Sequence, residues 1–166
     1  MSKSPIFLPI TQPRGFSLTE LLVVVSIISI LASIGLPLAD LAQKRSKEEE
    51  LRQSLREIRN ALDAYKKAYD TGHIVRIVGE SGYPSTLDLL VNGVTDAQSP
   101  RGERLYFLRS IPRDPFAPPE VINDADTWAP RSYESPPDAP KAGADVYDVH
   151  SKSQLIGMNG IPYSKW

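Results

Sequence analysis

The chain has no cysteine. That excludes disulfides and thiolate chemistry, so even in an oxidising compartment its small core must be held by packing and hydrogen bonds. Histidine is scarce too: His73 and His150 are the only imidazoles, and no Gly-rich phosphate loop or metal-ligand spacing accompanies them. Asp148-Val149-His150-Ser151 brings triad residue types together, but neighbours on a strand point to opposite faces, so contiguity is not a catalytic arrangement. An enzyme is not expected. With a net charge of -1 and no basic block, the chain has no footprint for a phosphate backbone, and nucleic acid is not expected as a partner. Three local absences are more telling. Charge is missing from Leu21 to Ala39, Gly and Pro are missing from Leu38 to Thr71, and acid is missing from Ser151 to Trp166.

The uncharged run is of membrane length, about 28 Å at the helical rise per residue. Arg14-Gly15-Phe16-Ser17-Leu18-Thr19-Glu20 leads into it and sets a carboxylate at its mouth. A lone Glu at the edge of hydrocarbon costs roughly 2.5 to 3.5 kcal/mol on insertion scales, so it calls for a partner, and an amine is the natural one. Ser17 and Glu20 also have capping-box spacing for a helix start. The leader carries Lys3 and Arg14 without an acid, like the charged end of a signal sequence. Ser33-Ile34-Gly35 is a weak fit to a conventional signal-peptidase site, whereas a cut before the run leaves the anchor on the mature chain. Lys44, Arg45 and Lys47 beyond the run balance Lys3 and Arg14 before it, so charge alone leaves orientation open.

Gly15, then Phe16, then Glu20, then an apolar helix: this order closely resembles the processing site of type IV pilins and the pseudopilins of type II secretion. The resemblance implies that a prepilin peptidase cuts between Gly15 and Phe16 and methylates the Phe16 amine. It implies that Glu20 neutralises that amine on a neighbouring subunit, with the N-terminus starting in the cytoplasm. Pro37, near the far end of the run, matches a common pilin position and is a place where the helix can loosen. The lack of a cysteine loop favours the secretion branch.

Beyond the run, Leu51, Leu55, Ile58, Leu62, Tyr65 and Tyr69 recur at alternating steps of four and three, an apolar stripe at helical spacing. The spacing predicts one nearly continuous helix from Phe16 to Asp70, kinked or melted near Gly35 and Pro37, with Thr71-Gly72 ending it. Pairs such as Lys44–Glu48 and Asp63–Lys67 mark a solvated face, to which Glu48, Glu49 and Glu50 are assigned. Eleven of the fifteen prolines fall from Pro84 onward, predicting short strands and extended loops. Residues 104–108, 128–134 and 145–149 are the strand candidates, 73–78 is strand or loop, and Ser85 or Thr86 caps a short helix. The fold class expected is α+β: a long N-terminal helix, transmembrane then amphipathic, packed on a small C-terminal antiparallel sheet in pilin-like fashion.

Three further landmarks resemble the major, G-type pseudopilin: Gly82-Tyr83-Pro84-Ser85-Thr86, Leu108 to Phe116 with its Arg113-Asp114-Pro115 core, and Tyr147-Asp148-Val149-His150-Ser151. The division implied is a leader at 1–15, a transmembrane assembly helix at 16–39, its amphipathic half at 40–71 and a periplasmic globular region at 72–166. The resemblance implies a single-pass inner-membrane protein that forms a homopolymer with other pseudopilins and meets a prepilin peptidase, an inner-membrane platform and an assembly ATPase. It also raises calcium as a possible ligand. Asp145, Asp148 and Asn159 are the candidate oxygen donors, while Lys152 opposes a cation and the last loop lacks the acids such a site uses. Without metal, Ile156, Ile161, Tyr163 and Trp166 would pin the tail by burial. Alternative readings are a type IV pilin or minor pilin of a surface fibre, and a solitary membrane-anchored domain.

Overall fold

An uninterrupted run of good helix formers after residue 38 and an apolar run before it give a single helix, α1, over Leu18–Asp70. The computed structural model describes residues 15–166, and of residues 34–37 the backbone alone. The leader thus lies, apart from Gly15, outside the described residues. The backbone is helical through positions 35–37, so the local melting expected there is not seen. The chain divides into two compact units, Met1–Ala42 and Gln43–Trp166.

In the first unit, Leu21, Leu22, Val23, Ile27, Ile28, Ile30 and Leu31 are all exposed. Ser26, Ser29 and Ser33 donate their hydroxyls to the carbonyls of Leu22, Val25 and Ser29, each at 2.8 Å. The polar side chains of the run are therefore satisfied within the helix, as a non-aqueous medium demands. Among the described residues this is the one helix long and apolar enough to cross a membrane.

In the second unit the stripe Leu51, Leu55, Ile58, Leu62, Tyr65 and Tyr69 is buried as predicted. It packs with Leu87, Leu90, Leu108, Trp128, Val146, Val149 and Tyr163 in one core. Gly72, at φ +82, closes α1, with His73 N–H donating to Ala68 across the cap. Short helix α2 spans Asp88–Asn92; β1 (Val94–Thr95) pairs antiparallel with β2 (Arg104–Leu105), and β3 (Trp128–Arg131) pairs antiparallel with β4 (Asp148–Ser151). The layout is α+β and pilin-like, although the sheet is two separate two-stranded ladders.

Local chemistry explains where the boundaries moved. Leu87, without a side-chain bond, stands at the N-cap of α2 instead of Ser85 or Thr86. Residues 73–78 form no strand. β4 begins three residues later than expected because Val146 N–H is committed to Pro84 and Asp145 to the Tyr133 N–H at 2.9 Å.

Candidate functional site

At the start of α1, Gly15, Phe16, Ser17 and Glu20 surround one open recess. All are exposed, Phe16 by 82%. The expected capping box is replaced: the Ser17 hydroxyl bonds the Thr19 hydroxyl at 2.8 Å, and the helix start is closed by Leu21 N–H donating to the Ser17 carbonyl. Glu20 is exposed and has no hydrogen-bond partner among the described residues. Pro37 is in α1, seventeen positions further on.

The C-terminal landmarks converge. Asp114 is fully buried, accepting from the Phe116 N–H at 2.8 Å and from the Ser151 hydroxyl at 2.6 Å. Ser151 faces Trp128 in the β3–β4 ladder, and Trp128 Nε1 donates to the Pro112 carbonyl at 2.8 Å. Gly82, at φ +84, lies against the Tyr69 ring, where a Cβ would come within 2.6 Å of Cδ1; Tyr83 meets Tyr147 edge-on at 5.0 Å. These stretches are thus structural, joining loop to strand and strand to α1.

The tail is held differently from the expectation. Tyr163 is fully buried, stacked on Phe116 at 4.1 Å and edge-on to Trp166 at 5.1 Å, but Ile156 and Ile161 are exposed. Its main anchor is Glu48, which the charge pattern had assigned to the solvated face and which is buried. Glu48 Oε1 accepts from Met158 N–H at 2.7 Å and from the Tyr163 hydroxyl at 2.9 Å. Lys44, one turn earlier, donates to the Ile156 carbonyl at 2.9 Å. The local pattern did not mark Glu48, because its donors Met158 and Tyr163 lie more than a hundred residues further along the chain. Burial, then the Glu48 carboxylate, pushes the Tyr163 hydroxyl up to about 12.

Asp145, Asp148 and Asn159 are not gathered into a cage. Asp145 accepts from Ser81 and Tyr133, Asp148 pairs with Arg59 at 2.8 Å and Arg131 at 3.7 Å, and Asn159 accepts from Ile161 N–H at 3.0 Å. Burial raises the Asp145 carboxyl, but the bonds from Ser81 and the Tyr133 amide outweigh it and leave it low. Among the described residues no three His, Asp or Glu stand close enough to hold a metal. A carboxylate already neutralised by two guanidiniums is a poor calcium ligand, and the residues present do not fit the ion. His150, between those charges on β4, is lowered by burial, with Arg131 and Arg59 adding to it against Asp148.

A methylation-type motif opening an exposed apolar helix, joined in sequence to a head of amphipathic helix and small antiparallel ladders, defines a type IV pilin-like subunit. The family "Prokaryotic N-terminal methylation motif" matches residues 11–36. The type II secretion system core protein G of Aeromonas hydrophila is 32% identical over 112 residues, covering 65% of this chain and 71% of that one. The core proteins G of Pseudomonas aeruginosa and Vibrio cholerae are 29% and 28% identical, covering 81% and 93% of this chain and 90% and 92% of theirs. No solved structure matches the chain. The chain belongs to the family of type II secretion system core protein G, the major pseudopilin.

Proposed function

We infer that the chain is a structural, non-catalytic subunit that polymerises into a periplasmic pseudopilus and drives protein secretion across the outer membrane. The observation that carries this reading is the exposed Gly15–Phe16–Glu20 motif at the start of an apolar helix whose large side chains have no cover of their own. Exposed apolar area costs about 25 cal/mol per Å², so outside the bilayer those side chains need other copies of the same helix. A prepilin peptidase removes residues 1–15 and methylates Phe16; Glu20 then receives the amine of a neighbouring Phe16, and residues near Pro37 give the helix room to adjust as subunits stack. Before assembly, residues 16–39 span the inner membrane, 40–71 continue as the amphipathic half of the helix, and 72–166 complete the periplasmic head. Other pseudopilins, an inner-membrane platform and an assembly ATPase are the further partners, the ATPase supplying the energy. Glu48 holds the tail through the Met158 amide and the Tyr163 hydroxyl.

The test is intact mass and N-terminal sequencing of the chain expressed with and without a prepilin peptidase. A product starting at methylated Phe16 is expected. An uncut chain, or one cut after the apolar run, would sink the assembly reading.

A further inference from the structure

Four large apolar residues of the tail are exposed together: Leu155 at 62%, Ile156 at 58%, Met158 at 42% and Ile161 at 45%. They crowd into one tight hairpin, closed by an Ile156–Pro162 bridge, Gly157 N–H donating to the Ile161 carbonyl and Gly160 N–H donating to Gly157. Lys44 and Glu48 hold this hairpin to the first turns of the second unit. The two segments that meet in it are rich in base. Residues 43–47 carry Lys44, Arg45 and Lys47 without an acid, and residues 151–166 carry Lys152 and Lys165 without an acid. Of the three acids that follow, Glu48 is turned inward to Tyr163, Glu49 reaches Arg56 at 4.0 Å and Glu50 is exposed.

The chain itself limits where the hairpin can be. Lys44 lies five positions beyond Ala39, the last residue of the uncharged run. Five residues reach about 7.5 Å as helix and at most about 18 Å fully extended. The polar layer on each side of the hydrocarbon is about 5–8 Å thick, so a membrane-spanning run leaves the hairpin's attachment point within or just above the headgroups. Exposed aliphatic side chains with Lys44 at the hairpin and further Lys and Arg in the flanking segments are the chemistry of an interfacial contact with anionic lipid.

We propose that the 155–161 hairpin is a lipid-docking surface that seats the head on the trans face of the bilayer before assembly. It rests on the membrane-anchor reading above, and leaving the membrane then requires this contact to be released as well as the apolar helix.

The chain has no cysteine, so single labels can be placed cleanly. Full-length chain, processed by a prepilin peptidase, is reconstituted in phosphatidylglycerol–phosphatidylcholine vesicles with an environment-sensitive fluorophore on Leu155→Cys, Val78→Cys or Val25→Cys. Val78 is fully exposed in the loop that Tyr69 holds at the far end of α1. The expected result is blue-shifted emission at Leu155 with strong quenching by lipids carrying a quencher near the headgroup, water-like emission at Val78, and quenching by deep quenchers at Val25. Water-like emission at Leu155 while Val25 is quenched overturns the docking surface and leaves the anchor standing. Loss of quenching at Val25 as well overturns both. A Leu155 shift that appears only at high subunit density, with energy transfer between copies and no lipid quenching, assigns the hairpin to a second copy and overturns the lipid proposal.

Discussion

Residues 21–31 and residues 51–69 belong to one helix and are both rich in large apolar side chains, yet the first set is exposed and the second buried. The difference is not propensity. In the first region apolar residues go round the whole helix, and only a medium or other helices can surround them. In the second they form a stripe, and one small head covers it. The same secondary structure is therefore incomplete at one end and self-sufficient at the other, which is what an assembling subunit with a folded head requires.

That contrast can be broken at either end. The largest effect expected is at the incomplete end: Glu20→Ala should abolish efficient filament formation, scored by sedimentation and electron microscopy, while the melting of the head stays unchanged. Normal filaments from this variant would refute the amine-pairing role. At the self-sufficient end, Leu62→Ala should destabilise the head by about 2–5 kcal/mol in urea unfolding, because Leu62 is fully buried. The prediction fails if the loss is a few tenths. Glu48→Leu leaves the Met158 N–H and the Tyr163 hydroxyl without their acceptor, for a loss of about 1–3 kcal/mol and faster hydrogen exchange at 155–163. Unchanged exchange there would show that packing alone holds the tail.

Smaller effects follow from charge. The folded state disfavours His150 protonation. Its contribution is therefore intact above the unfolded value of about 6.5 and is lost as pH falls through the lowered folded value. Urea midpoints should decline modestly below pH 6.5, and His150→Gln should flatten that decline. Tyr163 carries the opposite sign: with its pKa raised to about 12, its contribution holds below about pH 10 and fades above it. Calcium should produce the smallest effect, none, on the melting temperature against a chelator; a rise of several degrees would restore a metal site.

Much of this was legible beforehand. The apolar run, the stripe and the Gly72 cap follow from local periodicity and backbone conformation, which a linear sequence carries directly; the Gly15–Phe16–Glu20 motif was legible through its resemblance to pilins. The α+β layout was legible too. Glu48 was not, because a charge run reads as solvated until something covers it, and the cover comes from Met158 and Tyr163, more than a hundred residues away. Nor was the start of β4, which depends on Asp145 and Val146 being engaged by Tyr133 and Pro84.

By itself, then, the sequence determined the helix, its change from all-round apolarity to a stripe, and the processing motif, since each rests on spacing between near neighbours. Tertiary structure alone decided that Asp114 meets Ser151, that Asp148 is consumed by Arg59 and Arg131, and that Glu48 holds the tail. The physical reason is that a buried polar group must find its partner wherever the fold brings one, and that distance is not written in the local pattern.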